Sequence, residues 1–282
     1  MKFGVNTQIW VAPFQQTDLT LIDKVARMGF DVIELGFFSA EPPFNVGDVK
    51  QRLKAAGVEA GICSFLSADR DITSKDPDAR QRGVEFMNAM VRTLSALGGE
   101  VLSGPLYAEL FRKRYLPADD RAREWERCVA SMREIAKTAA AHGVTIALEP
   151  LNRFETDFLN LSEQAVRLAS DIGSNSVGIL LDTFHMGIEE KNQGEAIRRA
   201  GKHLKHFHAC ENDRGAPGTG QVPWVEVRDA LKSIGYDKIV AIEGFNPEIV
   251  DLANGACIWR PMAPSPDRLA GDGVKFLKRL FA

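Results

Sequence analysis

A (β/α)8 barrel is the fold class this sequence predicts, and three observations predict it. Short apolar segments alternate strictly with longer amphipathic ones along all 282 residues. Eight such pairs can be counted, each near the about 31 residues that about 250 residues over eight repeats would give. No linker rich in Pro, Gly or Ser interrupts them, so residues 1–282 are expected to form one catalytic domain. Strict alternation calls for parallel strands with right-handed crossovers, and eight of them suggest closure. A doubly wound open sheet is the competing arrangement. It is disfavoured because Asn6-Thr7-Gln8 stand where a G-x-G-x-x-G turn would follow the first strand.

The elements are expected in the following order. A strand at Phe3–Val5 leads to a helix over Leu19–Met28, whose Leu21, Ile22, Val25 and Ala26 recur at helical spacing and which Gly29 ends. Asp31–Leu35, which contains Glu34, is the second strand, and Val46–Ala56 the next helix. Glu59–Phe65 is the third strand, followed by a helix over Pro77–Leu97 closed by Gly98-Gly99. Val101–Leu106 is the fourth, and Arg121–His142 the longest helix, capped by Gly143. Val144–Leu148 is the fifth strand, ended by Pro150, which has no N–H to give. Helix Ser162–Ile172, strand Val177–Leu181, helix Gly194–Ala200 and strand Leu204–His208 follow. Helix Val225–Ile234, strand Ile239–Ile242 and helix Pro266–Phe281 complete the chain.

Composition narrows the function. With 45% hydrophobic and 26% charged residues the chain has the make-up of a soluble globular protein. Its 35 basic and 38 acidic residues nearly cancel, and no Lys/Arg run suggests a nucleic-acid partner. No stretch of about 18 apolar residues offers a membrane span. Met1–Asn6 reads as a strand from the start and not as a signal peptide. Cys63, Cys128, Cys210 and Cys257 are far apart and form no C-x-x-C pair, which points to packed thiols in a reducing cytoplasm. Cys63 and Cys210 fall near strand ends, where a thiol can line a pocket.

In a barrel the C-terminal ends of all strands open on one mouth. Four successive ends read I-A-L-Glu149, I-L-L-Asp182, K-H-F-His208 and V-A-I-Glu243, at intervals of 33, 26 and 35 residues. Singly, each has an ordinary structural explanation: Asp182 can be a helix N-cap and His208 a core histidine. Together, three carboxylates and an imidazole at one mouth repel and desolvate unless a cation joins them. An oxygen-rich set with one nitrogen suits a divalent metal, Mn²⁺ first and Co²⁺ or Mg²⁺ next, better than structural zinc. His185 lies three residues beyond Asp182, at the mouth. His206 shares the face of His208 one layer deeper, and His203 is expected at the surface. The run Gly215–Gly220 is expected to make a sharp turn that holds Arg214 over the pocket, in preference to cradling phosphate.

These residues also resemble a family. The motifs E-x-x-N-R-F-E at Glu149–Glu155, L-D-T-F-H-M at Leu181–Met186 and I-E-E at Ile188–Glu190 are similar to those of the ketose 3-epimerases. So are H-F-H-x-x-E-x-x-R at His206–Arg214, G-x-G-x-x-P-W at Gly218–Trp224 and I-W-R at Ile258–Arg260. These enzymes (D-tagatose, D-psicose or allulose, and L-ribulose 3-epimerases) share the xylose-isomerase-like barrel. The match is dense in the C-terminal half and mainly architectural in the N-terminal half. The resemblance implies that Glu149, Asp182, His208 and Glu243 hold the metal, and that Glu155, His185 and Arg214 bind the O1–O3 end of a ketose. It further implies a homodimer or homotetramer using Mn²⁺ or Co²⁺. Glu149 and Glu243 would form the acid–base pair that removes and returns the C3 proton through a cis-enediolate. The chain departs from the family at Glu243-Gly244-Phe245, at Pro105–Leu110 and at Asn6–Trp10, all where C4–C6 of the sugar would be sensed.

Other functions compete. An aldose–ketose isomerase would use the same metal and acids to move a proton between C1 and C2. An epimerase or lyase acting on a 3-keto sugar or 3-oxo-glycoside would do so beside that carbonyl. A phosphodiesterase on the same barrel wants more than five histidines and a basic groove. A sugar sensor that has lost catalysis has no need of two opposed glutamates.

Overall fold

Strands buried on both faces read as unbroken apolar runs. In the computed structural model, which describes residues 1–282, Val32–Gly36 (β2) and Val177–Asp182 (β6) are buried at every position. The remaining strands are β1 (Lys2–Asn6), β3 (Glu59–Cys63), β4 (Val101–Gly104), β5 (Thr145–Leu148), β7 (Leu204–Ala209) and β8 (Ile239–Ile242). All pair in parallel in sequence order, and β1 pairs with β8 from Lys2↔Ile239 to Val5↔Ile242, which closes the barrel. The closed eight-stranded barrel expected from the strict alternation is what forms.

The crossover helices are α1 (Thr20–Met28), α2 (Val46–Ala56), α3 (Pro77–Leu97), α4 (Ala118–Ala141) and α5 (Ser162–Ile172). After the short α6 (Thr183–Glu189) come α7 (Gln193–Ala200), α8 (Trp224–Ser233), the short α9 (Val250–Ala256) and α10 (Pro266–Phe281). Each long helix has a local reason to start and stop. The Asn45 side chain caps α2 by accepting from Asp48 N, and Asp76 followed by Pro77 opens α3. Left-handed Gly29, Gly57, Gly98 and Gly173 end α1, α2, α3 and α5. No helix is long and apolar enough to cross a membrane.

The structure differs from the sequence expectation at several edges. Helix α4 begins at Ala118, three residues before Arg121, because Asp119 and Asp120 favour the positive end of the helix dipole just after Pro117. Helices α6 and α9 go beyond the sequence expectation: each is seven residues long, α6 directly after β6 and α9 within the loop that follows β8. Cys257 is exposed at the C-terminus of α9 and is not a packed hydrophobe, whereas Cys63, Cys128 and Cys210 are buried. Strand β4 stops at Gly104 and does not reach Leu106.

Gly104 explains that last difference and also places a site residue. Its φ is 121°, and a Cβ there would lie 2.2 Å from the Ser64 carbonyl oxygen, so only glycine lets the chain turn against β3. The turned carbonyl accepts the backbone N–H of Glu149 at 3.1 Å. We expect Gly104→Ala to destabilise the protein by about 1–3 kcal/mol and to lower activity by moving Glu149. Thermal denaturation and turnover, measured together, check this; an unchanged midpoint would contradict it.

Above the strand ends, a buried ion network ties the loops together. Arg112 after β4 donates to Asp71 after β3 at 2.6 Å and to Asp157 after β5 at 3.0 Å. The mouth of the barrel is therefore held by charge pairing as well as by its strands.

Candidate active site

The ends of β5 to β8 bring four side chains to one point. Glu149 directly follows β5, Asp182 ends β6, His208 is the next-to-last residue of β7, and Glu243 directly follows β8. The β6–β7 register sets Asp182 beside His208, and the β7–β8 register sets His208 beside Ala241, two residues short of Glu243. One ligand atom from each of the four lies within 4.8 Å of all the others, and all four residues are buried. Imidazole Nδ1 of His208 is the hub. It stands 3.7 Å from Glu149 Oε1, 3.9 Å from Asp182 Oδ2 and 3.5 Å from Glu243 Oε1.

Those separations are too long for hydrogen bonds and are the spacing of donor atoms arranged around a cation. Consistently, His208 Nδ1 and Glu149 Oε1 are buried with no hydrogen-bond partner. Orphaned buried groups of this kind are costly, and a divalent cation between them satisfies both. The residues present fit such an ion.

Glu34 is a residue of the site that nothing in its sequence surroundings marks. It lies in β2, reaches across the barrel interior and meets His208 Nε2 with Oε2 at 3.0 Å, while its Oε1 pairs with His206 Nε2. His206 therefore sits one layer below His208, as strand alternation requires, with the two ring centroids 5.0 Å apart. Burial works to raise the Glu34 carboxyl, but His206 and His208 outweigh it and hold the group well below the usual carboxylate range. An anion behind Nε2 fixes the ring, leaves Nδ1 to face the three acids and makes it a stronger donor. No sequence signal marks the pair, because the partners are 174 positions apart. Substituting Glu34→Gln keeps the volume and removes the charge. We expect Mn²⁺ affinity to fall about 10- to 100-fold, read by titration calorimetry; unchanged affinity would show that Glu34 does not support the ligand.

Around this cluster stand the other residues singled out from the sequence. Asp182 is both a cap and a cluster member, since its Oδ1 accepts the Phe184 N–H that opens α6 at 2.6 Å. Arg214 lies in a left-handed turn (φ 67°), and its Nη1 donates to Asp182 at 2.9 Å and to Glu243 at 2.7 Å. Its guanidinium packs on the rings of Phe184 and Phe245, 4.0 and 4.9 Å from their centroids. The glycine-rich loop is folded onto the barrel, with buried Glu211 accepting from Gly218 N, Val222 N and Trp224 Nε1. It makes the turn that carries Arg214, as expected, and Gly218 has no room for a Cβ beside the Phe276 ring. His185, on α6, accepts the Asn152 backbone N–H at Nδ1 (3.1 Å), which puts its proton on Nε2. That nitrogen lies 3.1 Å from Arg214 Nη2 and 3.8 Å from Glu149 Oε1. Two donors thus stand side by side with no acceptor between them, an arrangement suited to a sugar oxygen. Glu155 is farther out, half-buried at the cavity wall, where it accepts from Asn152 Nδ2 at 2.7 Å.

Charge in the pocket is unevenly distributed. Burial would raise the Asp182 carboxyl, yet Arg214, His185 and His208 hold it down at about 2. Burial pushes Glu243 up to about 8, against the pull of His208 and Arg214. His208 is opposed by burial but is raised well above the ordinary imidazole value by Glu34 and then Glu243. Burial, with Asp182 beside it at 3.1 Å, pushes the Cys210 thiol well up, which makes it a poor nucleophile. Above the cluster opens a cavity of about 320 Å³, to which Cys63 also contributes.

Barrel and site together define a member of the xylose-isomerase-like class, and residues 22–280 match the family described as "Xylose isomerase-like TIM barrel". Within that class, the chain is 35% identical over 277 residues to D-psicose 3-epimerase of Ruminiclostridium cellulolyticum, covering 95% of this chain and 92% of that one. It is also 35% identical to L-ribulose 3-epimerase of Mesorhizobium japonicum, covering 98% and 93%. The crystal structure of D-psicose 3-epimerase with D-tagatose from Clostridium cellulolyticum H10 superposes with a TM-score of 0.92 at 34% identity, covering 100% of this chain and 99% of that one. The chain belongs to the ketose 3-epimerase family of xylose-isomerase-like barrels, and its enzyme class is isomerase.

Proposed function

We propose that this enzyme interconverts the C3 epimers of free 2-ketoses of the D-tagatose, D-psicose/D-fructose or L-ribulose type, with Glu149 and Glu243 as its proton-transfer pair. One observation carries the proposal: two buried glutamates flank the same point, each within 4 Å of His208 Nδ1, at the floor of a cavity that holds further polar groups. Inverting C3 requires removing the proton α to the carbonyl on one face and returning a proton on the other. Two acids on two sides of a bound sugar meet that requirement.

Glu149, Asp182, His208 and Glu243 would hold a divalent cation, Mn²⁺ in first place with Co²⁺ or Mg²⁺ able to serve, given three carboxylates and one nitrogen. When bound, the cation supplies Lewis-acid stabilisation of the negative charge that develops on O2 and O3. The protein's own groups do the rest. The glutamate on one face takes the C3 proton, and the glutamate on the other face, once it has taken a proton from solvent or from a sugar hydroxyl, supplies the replacement. Their roles exchange for the opposite epimer. His185 Nε2–H and Arg214 Nη2 donate to the O1–O2 end of the sugar, and Glu155 accepts from the hydroxymethyl group. Asn152 is a positioning residue, holding His185 through its backbone and Glu155 through its side chain.

A screen of Mn²⁺-supplemented enzyme against tagatose, psicose, fructose, ribulose and xylulose tests the assignment by chromatography of the products. The C3 epimer is the expected product. An aldose would point to the isomerase, and no product from any ketose would move the assignment to a 3-keto sugar or 3-oxo-glycoside.

A further inference from the structure

The cavity has two unlike walls. One comes from the ends of β5 to β8 and carries Glu149, Glu155, His185, Arg214 and Glu243. The other side comes from the loops after β2, β3, β4 and β8 and presents Phe38, Phe65, Leu110 and Leu252, while Phe111, bonded to Glu155, and Phe245, packed on Arg214, line the seam between the two. Phe38 and Phe65 pack with ring centroids 4.7 Å apart. Phe111 is held at φ 64°, a costly backbone for an aromatic residue, by donating its N–H to the Glu155 carbonyl at 2.8 Å. Hydrogen-bonding groups on this side are few. The Ser64 hydroxyl already donates to the Phe37 carbonyl at 2.9 Å, Asp251 is exposed at the rim, and Gln8 is the one carboxamide in the lining.

We propose that this wall selects ketoses that end in a methyl group, the 6-deoxy-ketohexoses, over the corresponding ketohexoses. The inference rests on the ketose 3-epimerase assignment, which puts C1–C3 against the polar wall and sends C4–C6 toward the phenylalanines. A ketohexose brings three hydroxyls, O4 to O6, to a side whose polar side chains are Gln8, the already donating Ser64 hydroxyl and Asp251 at the rim, and a buried hydroxyl without a partner is disfavoured. O6 is the farthest from any polar group of the opposite wall. Replacing it by hydrogen removes the unpartnered group and sets a methyl against apolar side chains. A ketopentose avoids the same penalty but does not extend far enough to fill this side.

The test compares matched pairs that differ only at O6: L-fuculose with L-tagatose, L-rhamnulose with L-fructose, and 6-deoxy-D-psicose with D-psicose. The readout is kcat/KM for exchange of the C3 proton with solvent deuterium on the Mn²⁺-loaded enzyme. In every pair that turns over, we expect the 6-deoxy sugar to be favoured about 10- to 100-fold, the range over which an apolar pocket discriminates against one added hydroxyl. Leu252→Asn gives the apolar wall a hydrogen-bond partner and is expected to shrink that ratio severalfold. Equal or faster exchange of the ketohexoses would overturn the inference while leaving the epimerase assignment standing. No exchange with any of the six sugars would overturn both.

Discussion

Exchange of Glu149 or Glu243 for glutamine is expected to lower C3 epimerisation at least about a thousandfold, within the range removed with a general acid or base. Glutamine has nearly the shape of glutamate, so the cavity and the strand ends keep their form, but it neither accepts nor returns a proton at the working pH. The barrel itself should survive. Both residues belong to a cluster of like charges, Glu149 Oε1 has no hydrogen-bond partner to lose, and neither side chain fills the apolar core. Circular dichroism, and the thermal midpoint of the metal-free protein, should therefore stay near wild type while turnover disappears. A matched measurement of Mn²⁺ affinity separates loss of the proton-transfer group from loss of a ligand. A variant that kept near wild-type turnover would remove that glutamate from the proposed pair.

Stripping the metal with a chelator is expected to abolish turnover and, with Mn²⁺ at a thousandfold over its dissociation constant as reference, to cost about 4 kcal/mol of stability. The effect should depend on pH in a defined direction. In the metal-free protein burial holds the Glu243 carboxyl at about 8, above its ordinary value of 4.5, and His208 is likewise raised. A group raised on folding contributes stability that is present at low pH and fades as pH rises through the folded value. The metal-free protein should thus lose stability between about pH 4.5 and 8, the span of the Glu243 shift. Because a cation displaces these protons, its affinity should rise over the same span, and uptake at pH 7 should release about two protons. Proton release measured in weakly buffered solution checks this; none would mean that Glu243 and His208 are already deprotonated.

Strand order and the four clustered side chains were legible because both follow from periodicity. Apolar runs of four to six residues mark strands, and Glu149, Asp182, His208 and Glu243 recur at one phase of that period. Cross-barrel pairing has no such phase. Glu34 looks like any polar residue within a strand until closure brings β2 opposite β7, and then it becomes the group that orients His208. Asn152 was visible only as part of a motif, whereas its backbone N–H decides which nitrogen of His185 faces the pocket. The end of β4 was hidden because Gly104 turns on a close approach to Ser64, just past the end of β3. Helix α9 was missed because it is only seven residues long, yet it brings Leu252 to the apolar side of the cavity.

The position of the exchanging proton tests the central claim most directly. With Mn²⁺-loaded enzyme and a free ketose in D₂O, the proton-transfer pair predicts that deuterium enters at C3 of both epimers, as read by NMR. Deuterium at C1 would mean that Glu149 and Glu243 serve an aldose–ketose isomerisation instead.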